Sequence, residues 1–237
     1  MSALFPLHVD QAETRRRGKR LVGPIDMHLT GTGATVIIGP NGSGKTTLLS
    51  LLHGTTRLHA GTIRWQVSTE AARAAQCFVF QRPILLRRSV ADNIAYPLRL
   101  RGVGRAAALA RANEWAERVG LGDMADRPAP MLSGGEQQKL ALARALITDP
   151  DVLFLDEPCA ALDGRAMRDI EGILQAEKAK GTHLILSTHD MGQARRLADE
   201  VIFMCGGQVV EHAPATTFFE APGTPQARAF LNGDIVE

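Results

Sequence analysis

The stretch Gly39-Pro40-Asn41-Gly42-Ser43-Gly44-Lys45-Thr46-Thr47 leaves few folds open to this chain. It is entered from the β-branched run Thr35-Val36-Ile37-Ile38 and left through Leu48, Leu49, Leu51 and Leu52 at helical spacing. It fits G-x-x-x-x-G-K-[ST] without mismatch, between a predicted strand and a predicted helix, where that pattern has physical meaning. Gly39, Gly42 and Gly44 accept backbone angles closed to residues with a Cβ, so successive N–H groups turn inward onto phosphate oxygens. The helix starting near Lys45 adds the positive end of its dipole. Lys45 reaches the β- and γ-phosphates, and the Thr46 hydroxyl is placed to ligate Mg²⁺. Such a loop alone does not choose among kinases, GTPases and motor or transport ATPases.

With 237 residues the chain is long enough for one large α/β domain with a small inserted subdomain. Its 45% hydrophobic and 22% charged residues exclude disordered and fibrous classes. The formal net charge of +2 is too slight to argue for nucleic acid, which usually needs a concentrated basic face, and electrostatics leaves the partner open. Cys77, Cys159 and Cys205 are widely spaced, which indicates neither a disulfide framework nor a zinc site and fits a reducing cytosol. Met1-Ser2-Ala3-Leu4-Phe5-Pro6 lacks the features of a signal peptide, and no apolar run approaches the ~18 residues of a membrane span. Any work at a membrane then needs spans from other chains.

Ahead of the phosphate loop, Leu4 to Val9 and Ile25 to Leu29 alternate apolar with polar residues, as half-buried antiparallel strands do. Arg15-Arg16-Arg17-Gly18-Lys19-Arg20 lies between them and reads as a solvated loop. Gly61 to Val67 reads as an edge strand and Cys77 to Phe80 as a buried one. From about Ile84 to Leu146 the composition turns Ala-, Arg- and Leu-rich, which predicts a helical insertion; Leu109, Ala112, Trp115, Ala116 and Val119 share one helix face. Strands resume at Val152 to Leu155, Leu184 to Ser187, Val201 to Met204 and Gln208 to Glu211, with a helix over Arg165 to Lys180 closed by Gly181. The expectation is an α/β fold: a mixed sheet of mostly parallel central strands flanked by helices, with an N-terminal antiparallel β part. One domain covers 1–237, its core formed by 1–83 and 147–237 and its helical subdomain by about 84–146.

Val152 to Glu157 is an apolar strand ending in two acids. Beside a phosphate loop, an acid in that place holds Mg²⁺ directly or through water, which assigns Asp156. Glu157 then lies where an attacking water sits, as the general base or the residue that orients the water. Gln81 and His189 also end apolar strands, whose carboxyl ends converge on the ligand crevice, so both are placed to reach the γ-phosphate. Gln81 is placed to sense Mg²⁺ and water, and His189 to bond the γ-phosphate and Glu157. In Leu132-Ser133-Gly134-Gly135-Glu136-Gln137-Gln138, Ser133 N-caps a helix whose glycines let an anion approach, making a second phosphate-binding end. One γ-phosphate needs both cradles only if they meet, most simply in a head-to-tail dimer with each Ser133 on the partner's phosphate loop.

The run Leu132 to Gln138, with the phosphate loop, Gln81, Leu153-Phe154-Leu155-Asp156-Glu157-Pro158, Ala160-Ala161-Leu162-Asp163 and His189 in this order, resembles the nucleotide-binding subunits of ATP-binding cassette (ABC) transporters. The likeness runs from about Leu4 to Leu231. It implies an ATPase using ATP and Mg²⁺, a homodimer closed on two ATPs, docking on integral membrane permeases near Gln81, and a place on the cytoplasmic face of the membrane. Gly39 to Thr47, with Ser133, Gly134, Gly135, Gln137 and Asp163 of the opposite chain, would contact nucleotide. The chain departs from the family in two places. No aromatic residue stands between Pro6 and the phosphate loop to stack on adenine; Arg17 or Arg16 takes that position, and a guanidinium plane also stacks on a base. Cys159 stands where a hydroxyl or another small residue is usual.

The run Gln81 to Gly102, Gln193 to Ala198 and the Phe218 to Leu231 tail is most similar to ATPases of oxyanion importers, tungstate-type first, with molybdate and phosphate relatives, served by an extracytoplasmic solute-binding protein. The chain's end at Glu237 carries the expectation that the regulatory domain of some relatives is absent. Importers of other solutes, short exporters and, more remotely, ABC ATPases acting on nucleic acid share the motifs; a soluble phosphate-loop kinase has no use for Ser133 to Gln137 with His189. The nucleic-acid ATPases commonly carry long coiled-coil insertions, tandem cassettes or zinc modules, none of which stands in this sequence, so no nucleic acid is expected as a partner.

Overall fold

The computed structural model describes residues 4–31, 33–234 and 236, and in it the apolar runs become the strands of two sheets. In chain order these are β1 (Leu7–Arg16), β2 (Lys19–Leu29), β3 (Ala34–Ile38), β4 (Ala60–Arg64), β5 (Gln76–Val79), β6 (Val152–Asp156), β7 (His183–Ser187), β8 (Glu200–Cys205) and β9 (Gln208–Pro214). The helices are α1 (Lys45–His53), α2 (Thr69–Ala74), α3 (Val90–Leu100), α4 (Arg105–Arg118), α5 (Gly134–Leu146), α6 (Gly164–Ala179), α7 (Met191–Leu197), α8 (Ala215–Glu220) and α9 (Pro225–Asn232). Between β5 and β6 the regular structure among the described residues is helical.

The larger sheet has the order β5-β6-β7-β3-β8-β9, parallel except for the β8–β9 pair. Successive residues of its central strands enter different cores. Leu153 and Leu155 of β6, Val36 and Ile38 of β3, and Leu184 and Leu186 of β7 pack with α3 to α7. Val152, Phe154, Ile37 and Ile185 pack on the other face with α1 and the smaller sheet. Burial on both faces is why these strands are continuously apolar rather than alternating. The order places β3 between β7 and β8, so the phosphate loop leaves the sheet beside the strand ends carrying Asp156 and Ser187.

The smaller, antiparallel sheet has the order β2-β1-β4. The first two strands are longer than their alternation suggests, because register shifts between Val9, Ala12, Thr14 and Arg15 break the period of two. The basic run therefore forms the paired ends of β1 and β2 and the turn between them, not a loop separate from the strands. A second difference concerns β5, which is the edge of the large sheet and not an interior strand. Its apolar character comes from its faces: Phe78 rings with His53 and Phe154, while Phe80 beyond the strand is 44% exposed.

At the opposite end of the strands lies a polar chain. The Thr35 hydroxyl donates to Glu200 and therefore accepts from His183 Nε2 at 3.0 Å, and Glu200 also pairs with His212. Burial pushes the His183 pKa from 6.5 down to about 4, against the smaller pull of Glu200 and Asp199 in the other direction. His183 is thus neutral in the fold and takes a proton more readily once unfolded. Its contribution is present above pH ~6.5 and is lost as pH falls from there towards the folded value, about 3 kcal/mol at 1.36 kcal/mol per unit. Denaturant midpoints between pH 4 and 7 are expected to show a shallower pH slope for His183→Gln than for the parent; equal slopes would remove this assignment.

Candidate functional site

The phosphate loop is shaped by close backbone packing. At Gly39, with φ +148°, a Cβ would fall 2.1 Å from the Met204 carbonyl oxygen, and at Gly44, with φ +102°, one would meet Val22 at 2.7 Å. The Gly207 N–H donates to the Ser43 carbonyl at 3.1 Å, so the β8–β9 turn braces the loop from behind. Lys45 opens α1 and is buried, its Nζ donating to the carbonyls of Gly39 at 2.9 Å and Pro40 at 3.1 Å. Burial lowers its pKa, and the nearby Glu157 and Asp156 carboxylates offset part of that. The buried Ser43 hydroxyl has no partner, while Asn41, Gly42 and Thr46 are exposed and Thr47 is half-buried. A desolvated ammonium on two carbonyls and an unpaired buried hydroxyl are groups that phosphate oxygens satisfy.

The acids at the end of β6 complete this cradle. Asp156 is 5% exposed, and its Oδ1 accepts the Thr46 hydroxyl at 2.8 Å and the Ser187 hydroxyl at 2.7 Å. This hard-oxygen set fits Mg²⁺, with Asp156 and Thr46 as the residues that would hold it. Glu157 sits at φ +45°, and its N–H donates to the Ser187 carbonyl and hydroxyl, each at 3.1 Å. Its Oε2 accepts from His189 Nδ1 at 2.9 Å and from Gln81 Nε2 at 3.2 Å. Three strand ends thus meet on one carboxylate. Ser187, in register with Asp156 across the β6–β7 pair, is a participant that motif reading missed. Its only signal in the sequence is a hydroxyl closing an otherwise apolar strand.

Ser133 N-caps α5 in a capping box with Glu136, whose carboxyl is held below the usual range by the Ser133 N–H and hydroxyl. Gln137 Nε2 donates back to the Leu132 carbonyl at 2.9 Å. Asp163 N-caps α6. Ser133, Gly134, Gly135 and Asp163 line one concavity of about 390 Å³, in which none of residues 39–47 takes part. Within one chain, then, the two helix ends are separate. Arg17, at φ +50°, forms the hairpin turn with Gly18, and Arg16 precedes it; both arginines are exposed. Cys159 is buried behind Glu157 and His189, and burial raises its thiol to about 11, which keeps it protonated.

Comparison with known families matches residues 22–160 to the model described as ABC transporter. The chain belongs to the ABC transporter family. It is an ABC-type ATPase, whose domain binds ATP. Among curated ABC relatives, Phosphate import ATP-binding protein PstB 2 of Natronomonas pharaonis is 42% identical over 228 residues, 86% of this chain and 78% of that one. Tungstate uptake system ATP-binding protein TupC of Peptoclostridium acidaminophilum is 44% identical over 181 residues, 75% of this chain and 84% of that one. In structure the ABC ATPase fold is shared with cbiO1 from Clostridium perfringens, part of the transporter complex cbiONQ, at a TM-score of 0.79 and 26% identity over 92% of each chain. Among the described residues no helix is long and apolar enough to cross a membrane.

Proposed function

We propose that this chain is the ATP-hydrolysing subunit of an ABC importer for an oxyanion, tungstate in preference to molybdate or phosphate. It would act as a homodimer on the cytoplasmic face of the membrane through separate permease subunits and an external solute-binding protein. The observation that carries the reading is the convergence of Gln81, Glu157 and His189 at 2.9 to 3.2 Å beside the Thr46–Asp156 pair. In a phosphate-loop ATPase that arrangement serves in-line attack of water on a γ-phosphate. The oxyanion class is supported by the phosphate and tungstate relatives and by a Haloferax volcanii relative named as a probable anion import ATP-binding protein, 36% identical over 222 residues. The glutamate transport ATP-binding protein GluA of Corynebacterium efficiens is 33% identical over 217 residues, less than any of these three.

In the working site, Glu157 accepts a hydrogen bond from the water and takes its proton as the oxygen attacks, while Gln81 and His189 hold the carboxylate in line. Lys45 and the loop N–H groups receive the charge that grows on the phosphate oxygens. Mg²⁺, which Asp156 and Thr46 would hold, would supply charge neutralisation at the nucleotide phosphates. The separation of Ser133 and Asp163 from the phosphate loop of their own chain supports closure by a second copy, each γ-phosphate bridging Lys45 of one chain and the Ser133 helix end of the other. Gly134, Gly135 and Gln137 line that end. Residues 84–146 form the helical subdomain that carries it, set into the core of 1–83 and 147–237.

ATP turnover by the chain, with and without the permease that co-purifies with it, tests the transport reading; stimulation is expected, and a permease that neither co-purifies nor stimulates contradicts it. The solute is tested by titrating the associated binding protein with tungstate, molybdate and phosphate. For adenine, Arg17 at the exposed turn, or Arg16 beside it, provides the stacking plane. Arg16→Ala and Arg17→Ala in one chain are expected to weaken ATP by about 1 to 2 kcal/mol in calorimetric titration; unchanged affinity means that neither guanidinium touches the base.

A further inference from the structure

Ser187 is wholly buried between the two acids. Its hydroxyl accepts the Glu157 N–H at 3.1 Å and donates its one proton to Asp156 Oδ1 at 2.7 Å. We propose that Ser187 is a positioning residue for hydrolysis, one hydroxyl fixing both the carboxylate that meets Mg²⁺ and the strained backbone that aims Glu157. This rests on the roles proposed above for Asp156 and Glu157.

Oδ1 of Asp156 also receives the Thr46 hydroxyl at 2.8 Å, but Thr46 lies on the exposed rim of the cradle, where it can turn to the nucleotide. Ser187 has no such freedom, since its strand is paired on both sides and its side chain meets no solvent. Once Thr46 turns away, Ser187 is the hydroxyl left to orient Asp156. Glu157 stands at φ +45°, a conformation that residues with a Cβ hold only when their surroundings over-determine it. The Ser187 carbonyl and hydroxyl both accept its N–H, and so fix the direction in which the side chain leaves towards Gln81 and His189. The neighbouring Thr188 hydroxyl is engaged elsewhere, accepting the Asp190 N–H at 3.0 Å. A carboxylate beside a metal is tuned by such outer partners, whose loss costs about 10- to 100-fold in activity or metal affinity.

Ser187→Thr and Ser187→Val have nearly the same shape, so the difference between them reads the hydroxyl. For Ser187→Val, kcat is expected to fall about 10- to 100-fold and half-saturating Mg²⁺ to rise about 10-fold or more, with Ser187→Thr within about threefold of the parent in both. In calorimetric titrations Ser187→Val should lose the gain in ATP affinity that Mg²⁺ confers while matching Ser187→Thr in EDTA. In the nucleotide-free chain the Glu157 amide should exchange faster. If the strand does not accept a branched side chain, Ser187→Ala against the parent gives the same readouts. Equal kcat, equal Mg²⁺ dependence and equal amide exchange across the pair overturn the proposal, provided that Glu157→Gln is inactive in the same assay. An active Glu157→Gln instead overturns the reading of the acids beneath it.

Discussion

Glu157→Gln is expected to bind ATP as the parent does and to turn it over about 10²- to 10⁴-fold more slowly, the range that a positioned general base supplies. The substitution keeps the length of the side chain and an oxygen that accepts from His189 or Gln81, which meet the carboxylate at 2.9 and 3.2 Å. What it removes is the capacity to take a proton from water. Binding should survive because the groups proposed to face the phosphates, Lys45 and the loop amides, lie on α1 and in the loop before it rather than on β6. Single-turnover measurements separate the two effects: the ATP affinity stays within about twofold while the chemical step slows by that range. A variant that loses affinity and rate together would place Glu157 in binding instead.

The second large effect is expected at Lys45. Its ammonium is buried on two carbonyl oxygens, and burial lowers its pKa, so the free fold holds this charge at a cost. Nucleotide phosphates repay that cost. Lys45→Met is therefore expected to weaken ATP by about 2 to 5 kcal/mol, roughly 30- to 5,000-fold, as truncation of one partner of a desolvated charge pair does. The nucleotide-free variant should be as stable as the parent or more so, since a buried charge has been replaced by a thioether of similar length. Thermal denaturation with and without MgATP checks both signs. Loss of stability in the absence of nucleotide would show that Lys45 serves the fold.

Much of this was legible because the chemistry is local. The glycines fall in the loop between β3 and α1, Lys45 and Thr46 open α1 directly after it, and Asp156 and Glu157 are adjacent at the end of one strand. Gln81 and His189 were reachable by a second rule, that parallel strand ends converge. The part that escaped depends on pairing between strands distant in sequence. Ser187 meets Asp156 only through the β6–β7 register, and nothing in a stretch of apolar residues ending in serine announces that partner. The hairpin was underestimated because bulges near Gln11 and Thr14 interrupt the period that marks a strand. The position of β5 was misjudged for a related reason. Apolar residues report burial of faces, whereas edge or interior is decided by neighbours, and β5 has a strand on one side alone.

The central claim is that the phosphate loop is half of a site completed by the Ser133 helix end of a second copy. Sedimentation of Glu157→Gln in saturating MgATP tests it most directly. The expected result is a species of twice the chain mass that reverts to the monomer when ATP is withdrawn or when Ser133→Phe is added. A Glu157→Gln protein that stays monomeric with every site filled by ATP would contradict the account.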